Sequence, residues 1–210
     1  MMFNNSPDFE KIIFSKPVKC SDGKYFVAAA VSEDAESISK DILCQFGPNM
    51  LCKDDLKDSS GINLHFSNQA INDFISDCDE HLLCKAKDHK ENWFPSTDIT
   101  DTYLENALMP SCKSLKKPNN VYNIKMRISK NLVVFNGNKE TVEKDDVLGD
   151  SKVSVIVQLA GLWFTKTRFG LSWVVKQLKM HESEKSLKVG MCLFENDDNE
   201  EELDNVFPDE

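Results

Sequence analysis

The stretch KVSVIVQLAGLWFTKTRFGLSWVVKQLKM, residues 152–180, decides how the rest of the chain is interpreted. Apolar residues recur at every second position in both halves, and many of them are β-branched or aromatic. This alternation is typical of half-buried strands, and the polar turn Thr165-Lys166-Thr167 predicts that they form a hairpin. The predicted apolar faces comprise Val153, Val155, Val157, Leu159, Gly161 and Trp163 in the first strand, and Phe169, Leu171, Trp173 and Val175 in the second.

The hairpin also combines aromatic rings with cations. Two Trp and two Phe lie among Arg168 and five lysines, the last of which, Lys185, is just beyond the second strand. Any base can stack on an exposed ring for ~1–3 kcal/mol while cations follow the phosphates, so the pattern suits single-stranded nucleic acid. The same rings also suit the core of a barrel with lysines at its solvated rim. Periodicity alone leaves both interpretations open.

Charge is segregated along the chain. The formal net charge of −10 over 210 residues consists of −9 in residues 1–110, +8 in residues 111–190 and −9 in residues 191–210. Such asymmetry indicates a nucleic-acid surface combined with an acidic tail, and the composition of the tail predicts disorder. The tail is either solubilising, or an acidic peptide anchored by Phe207 that folds onto a cationic groove or docks onto basic partners.

We expect neither a signal peptide nor a transmembrane helix in this chain. The start, MMFNNSPDFEK, lacks a basic-then-apolar pattern, and no apolar run is long enough for a transmembrane helix. Seven scattered cysteines contain no CxxC pair. We therefore expect an intracellular protein with reduced thiols that is neither secreted nor bound to a membrane.

The first half of the chain mixes strands and helices. We predict strands within residues 11–31 and 62–66, a short helix over residues 34–46, a long helix from an Asn68 cap to about Lys90, and a short helix ending at Met109. Two more strands, Tyr122–Ile128 and Leu132–Phe135, are predicted around Ser129-Lys130-Asn131. These elements predict a mainly β or α+β fold. We expect one OB-like β-barrel domain over residues 1–190, with helical insertions at about 32–110, and a disordered acidic tail at 191–210.

Signatures of catalysis are missing as well. The sequence contains no GxGxxG, GxxxxGK[ST], GxSxG or HExxH motif, and none of its four histidines is placed as a general base. Cys78, His81, Cys84 and His89 have a spacing that suggests zinc, but all four fall on one predicted helix and spread around it. Core cysteines are the better explanation. We therefore predict no enzymatic activity, no cofactor and no metal, with a metal-dependent nuclease as the weakest alternative.

The segment GLWFTKTRFGLSWVVKQ, residues 161–177, resembles the phage-type single-stranded DNA-binding proteins encoded by nucleo-cytoplasmic large DNA viruses. Members of that group have a G-[IL]-W-F core, a short turn, and then a basic residue followed by Phe-Gly-x-S-W and a Gln. The matching positions here are Gly161, Leu162, Trp163, Phe164, Arg168, Phe169, Gly170, Ser172, Trp173 and Gln177. The resemblance extends to an acidic tail with an aromatic residue near its end. It implies an OB fold, sequence-tolerant binding of single-stranded DNA in viral replication or recombination, and no catalysis.

We therefore expect a protein that coats single-stranded DNA at the replication site of the host cell, in the nucleus or the cytoplasm. The residues expected to bind DNA are Tyr122, Lys125, Arg127, Lys152, Trp163, Phe164, Lys166, Arg168, Trp173, Lys176 and Lys179. The tail, through Phe207, is expected to bind viral replication proteins, and homo-oligomerisation is a further option. The alternative is a viral scaffold protein that binds basic partners through its acidic regions, with the hairpin serving only as core.

Overall fold

The computed structural model describes residues 11–31, 41–94, 99–115 and 120–181. In chain order the elements are β1 (Ile12–Phe14), β2 (Val18–Lys19), β3 (Tyr25–Val31), β4 (Ile42–Cys52), β5 (Gly61–Phe66), α1 (Gln69–Asp88), α2 (Lys90–Trp93), α3 (Asp101–Ala107), β6 (Cys112–Leu115), β7 (Val121–Phe135), β8 (Thr141–Val142), a 3-10 turn (Lys144–Asp146), β9 (Lys152–Phe164) and β10 (Phe169–Met180). The fold is mainly β with a few helices, as predicted. The hairpin of β9 and β10 is also confirmed.

Five strands close into a ring in the order β4-β5-β7-β10-β9, and β9 pairs again with β4. Strands β7 and β10 run parallel, whereas the other pairs in the ring are antiparallel. The inward residues of all five strands form the larger core, because side chains alternate between the two faces of a strand. Members of this core from the hairpin include Val153, Val155, Val157, Trp173 and Val175.

A bulge in β9 divides the hairpin into two parts. Leu159 pairs with Trp173 and Gly161 with Ser172, so Ala160 is an extra residue on its strand. Below the bulge, β9 pairs with β4 up to Leu159, and beyond it the same edge pairs with β3 from Gly161 onward. Gly161 has a φ of +142°, and a Cβ there would lie 2.0 Å from the carbonyl oxygen of Val27, so only glycine fits.

The bulge corrects one face assignment. Trp163 was predicted on the same face as Val153 and Leu159, but the extra residue reverses the alternation beyond it. Leu162 and Phe164 are buried there, whereas Trp163 is half-buried on the opposite side.

The part of the sheet beyond the bulge is covered on one side by the helices. Helix α1 confirms the predicted long helix, and the side chain of Asn68 caps its N-terminus by accepting from the backbone N–H groups of Ala70 and Ile71. A second core lies between these helices and the outer hairpin, and comprises Val27, Leu82, Ala86, Trp93, Leu104, Ala107, Leu162, Phe164 and Phe169. The other side of this sheet is left uncovered by the helices.

Two predictions about local structure were wrong. Residues 42–46 belong to strand β4, not to a helix, because buried Ile42, Cys44 and Phe46 alternate with exposed Leu43 and Gln45. Residues 121–135 form one strand, β7, rather than two. Its pairing with β10 jumps from Ile128 to Val133 while β10 advances only from Val175 to Gln177, so the polar segment between them is accommodated inside the strand.

Several predictions concern residues outside the described part of the chain. The acidic tail at 191–210, with Phe207, lies outside it, and so do residues 32–40 at the start of the predicted helical insertions. Among the described residues, no helix has the length and apolar character needed to cross a membrane.

Candidate nucleic-acid interface

A groove of about 550 Å³ crosses the uncovered side of the sheet. Strands β3, β9, β10, β7 and β5 contribute to its walls and floor, and the turn before β3 closes one end. We call it the sheet groove; its lining comprises Cys20, Asp22, Lys24, Tyr25, Phe26, Ser60, Gly61, Lys125, Met126, Arg127, Trp163, Leu171, Ser172 and Trp173. Three of the predicted DNA-binding residues with accessible side chains, Lys125, Arg127 and Trp163, are therefore brought together.

Trp163 forms part of the floor of the sheet groove. It pairs across the sheet with Phe26 on one side and with Gly170 on the other. Its indole Nε1 donates to the carbonyl oxygen of Leu171 at 3.1 Å, which fixes the orientation of the ring. A Cβ on Gly170 would lie 3.2 Å from Trp163 Cζ2 and 2.9 Å from the carbonyl oxygen of Met109. Gly170 thus leaves room for a half-buried indole that faces the groove.

Arg127 is held in place by two contacts in the groove. Its guanidinium carbon lies 5.8 Å from the centroid of the Phe26 ring, and its Nη2 donates to Ser172 Oγ at 2.8 Å. A cation over an aromatic face is attracted by the ring quadrupole. Exposed Lys125 is on the same face of β7, two residues before Arg127. These two cations lie beside the rings of Phe26 and Trp163. In such an arrangement, cations can bind the phosphates of a single strand while rings stack with its bases.

The entrance of the groove is formed by the turn before β3. Tyr25 is 43% exposed, so much of its ring is available to a ligand. Lys24 forms an exposed ion pair with Asp22, with Nζ 2.9 Å from Oδ2. The hydrogen bond from the Lys24 side chain lowers the pKa of Asp22. Asp22 is the only acidic residue that lines the groove in the described part of the chain.

The rings of Phe164 and Trp173 belong to the core. Each side chain is only 3% exposed. Phe164 stacks with Phe169 at a centroid distance of 5.9 Å, and Trp173 packs 6.0 Å from Phe46. Neither ring presents a face to solvent, which is the core arrangement that the sequence pattern had left open.

Trp173 also belongs to a buried polar network that ties α1 to β10. Its Nε1 donates to Ser111 Oγ at 3.0 Å, and Ser111 donates through its backbone N and its Oγ to the carboxylate of Asp79, each at 2.7 Å. Burial raises the pKa of Asp79 to about 6, against the lowering effect of the two hydrogen bonds from Ser111. The network orders the segment before β6 against the wall of the groove.

The remaining predicted residues are distributed around the sheet. Exposed Lys166 lies in the turn of the hairpin and exposed Arg168 directly follows it, with Arg168 Nη1 3.0 Å from Met109 Sδ. Tyr122 lies at the start of β7, five residues before Arg127. Its aromatic ring lies 5.6 Å from Phe66, and its hydroxyl donates to Gln69 Oε1 at 2.6 Å. Tyr122 is therefore packed against β5 and the start of α1.

Two predicted lysines lie far from the sheet groove. Lys152 begins β9, eleven residues before Trp163, which corresponds to roughly 35 Å at ~3.3 Å per residue. Half-buried Lys179 lies six residues beyond Trp173 on β10, roughly 20 Å away at the same rise per residue. Half-buried Lys176 is outside the groove lining but only two residues beyond Val174, the strand partner of Arg127. The structure therefore separates Lys152 and Lys179 from Lys125 and Arg127, although all of them lie in the same basic segment of the sequence.

The spacing that suggests zinc corresponds to separate environments on and just after α1. Cys78 is buried, Cys84 is exposed, and the ring of His89 stacks on Trp93 at 5.0 Å. Among the described residues, no three His, Cys, Asp or Glu side chains are grouped in a way that could hold a metal ion.

Sequence analysis missed Lys24, Tyr25 and Phe26 as groove residues. They follow the Ser21-Asp22-Gly23 turn as the run Lys-Tyr-Phe. A cation next to two aromatic residues at the start of a predicted strand is the same signal that identified the hairpin. The same principle therefore applies to Lys24, Tyr25 and Phe26.

The comparisons with known proteins give one match in sequence and several in structure. No curated protein is significantly similar in sequence. The single-stranded DNA-binding protein from bacteriophage Enc34, in its C-terminal truncation, has a TM-score of 0.48 and 15% identity, with 84% of this chain and 98% of that chain covered. The structure of the Enc34 protein in complex with ssDNA has a TM-score of 0.46 and 16% identity, with 84% and 98% covered. The single-stranded DNA-binding protein gp2.5 encoded by bacteriophage T7 has a TM-score of 0.46 and 13% identity, with 71% and 96% covered.

A family model, in contrast, matches most of the described fold. It covers residues 52–189, from the end of β4 through the whole of the hairpin. The chain therefore belongs to the Family of unknown function (DUF5871).

Proposed function

We propose that this chain is a non-enzymatic protein that binds single-stranded DNA without sequence preference through the sheet groove. The observation that carries the proposal is the composition of the groove. Aromatic side chains of Tyr25, Phe26 and Trp163 adjoin the cations of Lys24, Lys125 and Arg127, in a chain whose formal net charge is −10. A cationic, aromatic groove on so acidic a protein is suited to a polyanion with stackable bases.

Binding combines two physical terms. Bases stack on the rings for ~1–3 kcal/mol each, independent of their identity, because every base has a π-face. Phosphates displace counterions at the cations, so the logarithm of affinity falls with the logarithm of salt concentration by ~0.7 per phosphate contact on a single strand. Arg127, whose guanidinium is already oriented by Phe26 and Ser172, contributes a phosphate contact with little additional loss of side-chain freedom.

We further propose that this binding serves viral DNA replication or recombination inside the host cell, with the ring of five strands acting as an OB-like barrel. The resemblance of residues 161–177 to viral single-stranded DNA-binding proteins supports this role. The acidic tail acts as an intramolecular competitor for the groove and as the docking segment for replication proteins, with Phe207 as its anchor. Its net charge of −9 is complementary to the groove.

The experiment is a titration of labelled oligo-dT by fluorescence anisotropy at low and high salt. We expect affinity that falls steeply with salt, and weaker binding by Lys125→Gln/Arg127→Gln. The matched control is Lys130→Gln/Lys139→Gln, which removes two exposed lysines outside the sheet groove. If the wild-type chain ignores oligo-dT at low salt while it captures basic proteins, the scaffold alternative replaces this proposal.

A further inference from the structure

Two more cavities lie beyond the Tyr25 end of the sheet groove. The first, of about 370 Å³, lies between the hairpin turn, the β2 segment and α2, and we call it the turn pocket. Tyr25 lines both the sheet groove and the turn pocket. The second, of about 720 Å³, lies between β1 and the end of α1, and we call it the helix-end pocket. It shares Pro17, Asn92 and Trp93 with the turn pocket. Each cavity therefore adjoins the next, and we call the turn pocket and the helix-end pocket together the path.

The path is strongly cationic. Lys19 and Lys166 line the turn pocket, and Lys16 and Lys85 line the helix-end pocket. No Asp or Glu of the described residues lines either pocket. Because the whole chain carries a formal net charge of −10, this local excess of positive charge is not a reflection of composition. It marks the path as a surface for an extended anion.

Nearby lysines outside the path are neutralised. Lys87 pairs with Glu105, with Nζ 2.7 Å from Oε1, and Lys90 pairs with Asp101 at 3.2 Å. In contrast, Lys16, Lys19, Lys85 and Lys166 form no ion pair with any other described residue. The acids of α3 thus compensate the cations that point away from the path. The four lysines of the turn pocket and the helix-end pocket have no acidic partner in the described part of the chain, unlike Lys24 of the sheet groove, which pairs with Asp22.

Exposed rings occur along the same path. Tyr25 is 43% exposed where the sheet groove meets the turn pocket. In the helix-end pocket the exposed ring of His89 is stacked on Trp93, with an interplanar angle of 23°. In these two pockets, aromatic rings lie among lysines that have no ion-pair partner among the described residues. The sheet groove has the same combination of rings and cations.

We propose that a bound single strand of DNA leaves the sheet groove at Tyr25 and continues through the turn pocket into the helix-end pocket, where the four lysines bind its phosphates. This inference rests on the proposed function and extends it. The path makes the binding site longer than the sheet groove alone. Short strands occupy the sheet groove, where Tyr25, Phe26 and Trp163 adjoin Lys125 and Arg127, and longer strands also neutralise the outer lysines.

The test compares oligo-dT of about 5 and about 20 nucleotides, lengths that bracket most site sizes of OB folds. Two variants of the full chain, Lys19→Gln/Lys166→Gln and Lys16→Gln/Lys85→Gln, are titrated beside the control Lys130→Gln/Lys139→Gln. For the long strand we expect each path variant to bind roughly tenfold more weakly at low salt, with a salt slope lower by ~1.4 for two lost phosphate contacts. For the short strand we expect wild-type affinity in all three variants.

The outcomes separate this inference from the proposed function. If the wild-type chain binds neither strand, both are wrong. If it binds the long strand with a steep salt dependence and both path variants match the control, the sheet groove is the whole site and only the extension is wrong. Equal loss of affinity for short and long strands would also overturn the extension, because the outer lysines would then act on the sheet groove itself.

Discussion

The guanidinium of Arg127 lies over the ring of Phe26, 5.8 Å from its centroid, although the two residues belong to strands that do not pair with each other. Strands β10 and β9 lie between them in the sheet, and the guanidinium is also held by Ser172 on β10. The contact joins the two walls of the sheet groove, and it places a fixed cation above the floor that Trp163 forms.

Arg127→Lys tests whether this geometry matters in addition to charge. Lysine keeps the positive charge but lacks the planar group that contacts Phe26 and Ser172. We expect weaker oligo-dT binding with a nearly unchanged salt slope, whereas Arg127→Gln lowers the slope by ~0.7 as well. Anisotropy titrations at several salt concentrations measure both quantities. Wild-type affinity in Arg127→Lys would show that the contact with Phe26 has no role in binding.

Substitutions of Trp163 and Trp173 provide a matched pair of variants. Both residues line the sheet groove, but Trp163 is half-buried there, whereas Trp173 is 3% exposed and donates to Ser111. We expect Trp163→Leu to weaken binding by ~1–3 kcal/mol without changing the salt slope, and to abolish most quenching of tryptophan fluorescence by poly-dT. Trp173→Phe should retain the quenching. It should instead lower the free energy of unfolding, because Ser111 Oγ loses the hydrogen bond that it accepts from Trp173 Nε1. Quenching that disappears only in Trp173→Phe would reverse the assignment.

Gly161, directly after the bulged residue Ala160, is predicted to tolerate no side chain. Gly161→Ala places a Cβ against the Val27 carbonyl oxygen at a φ of +142°. Gly23→Ala is the control, since Gly23 also has a positive φ of +81° but has no neighbouring atom within 4 Å. We expect about 1 kcal/mol of destabilisation in Gly23→Ala from backbone strain alone, and a clearly larger loss in Gly161→Ala. Urea denaturation measures both; equal losses would mean that the strands separate freely at the bulge.

Asp79 is predicted to make stability depend on pH. Its pKa in the folded chain, about 6, lies above the ordinary value of 3.8, so the folded chain holds the proton more tightly than the unfolded chain. This contribution is fully present below pH ~4 and is lost as the pH rises through ~6, and it amounts to roughly 3 kcal/mol. Relative to Asp79→Asn, the wild-type chain should therefore lose stability between pH 4 and pH 7.

Chemical denaturation at several pH values measures the difference between the wild-type chain and Asp79→Asn. Asp77→Asn is the control, because it removes an exposed carboxylate from the same helix. A difference for Asp79→Asn that does not change with pH, or that grows as the pH rises, would contradict the prediction.

Removal of the acidic tail is predicted to strengthen binding. A chain that ends at Cys192 loses nine acidic residues and no basic one. If the tail competes for the groove, the shortened chain should bind oligo-dT more tightly at low salt, and the advantage should shrink as salt screens the charges. Equal affinities of the two chains at low salt would limit the tail to solubility or to partner binding.

The sequence predicted the parts of the structure that local periodicity determines. The alternation in residues 152–180 was strong enough to identify both strands, and the Asn68 cap located α1. The bulge at Ala160 was not visible, because one extra residue in a strand leaves its composition unchanged while it reverses the side on which Trp163 lies. The helix predicted over residues 34–46 placed Ile42 and Leu43 on one face, although they face opposite sides of β4.

The candidate site could be predicted only in part, because pairing between distant strands creates it. Lys125, Arg127 and Trp163 meet Tyr25 and Phe26 because β9 pairs with β3, and no local pattern encodes that register. Lys152 and Lys179 have the same chemistry as Lys125. Their distance from the groove depends on their positions along strands whose partners are far away in sequence.

The shared edge of β9 has a consequence for the order in which the chain can fold. Strands β3 and β4 are synthesised more than one hundred residues before the strand on which both of them pair. During translation their hydrogen-bonding edges therefore remain without this partner until residues 152–164 have left the ribosome, a delay that exposes strand edges to association with other chains. Closure of the ring and completion of the sheet groove both require β9, so a nascent or truncated chain that lacks β9 has neither.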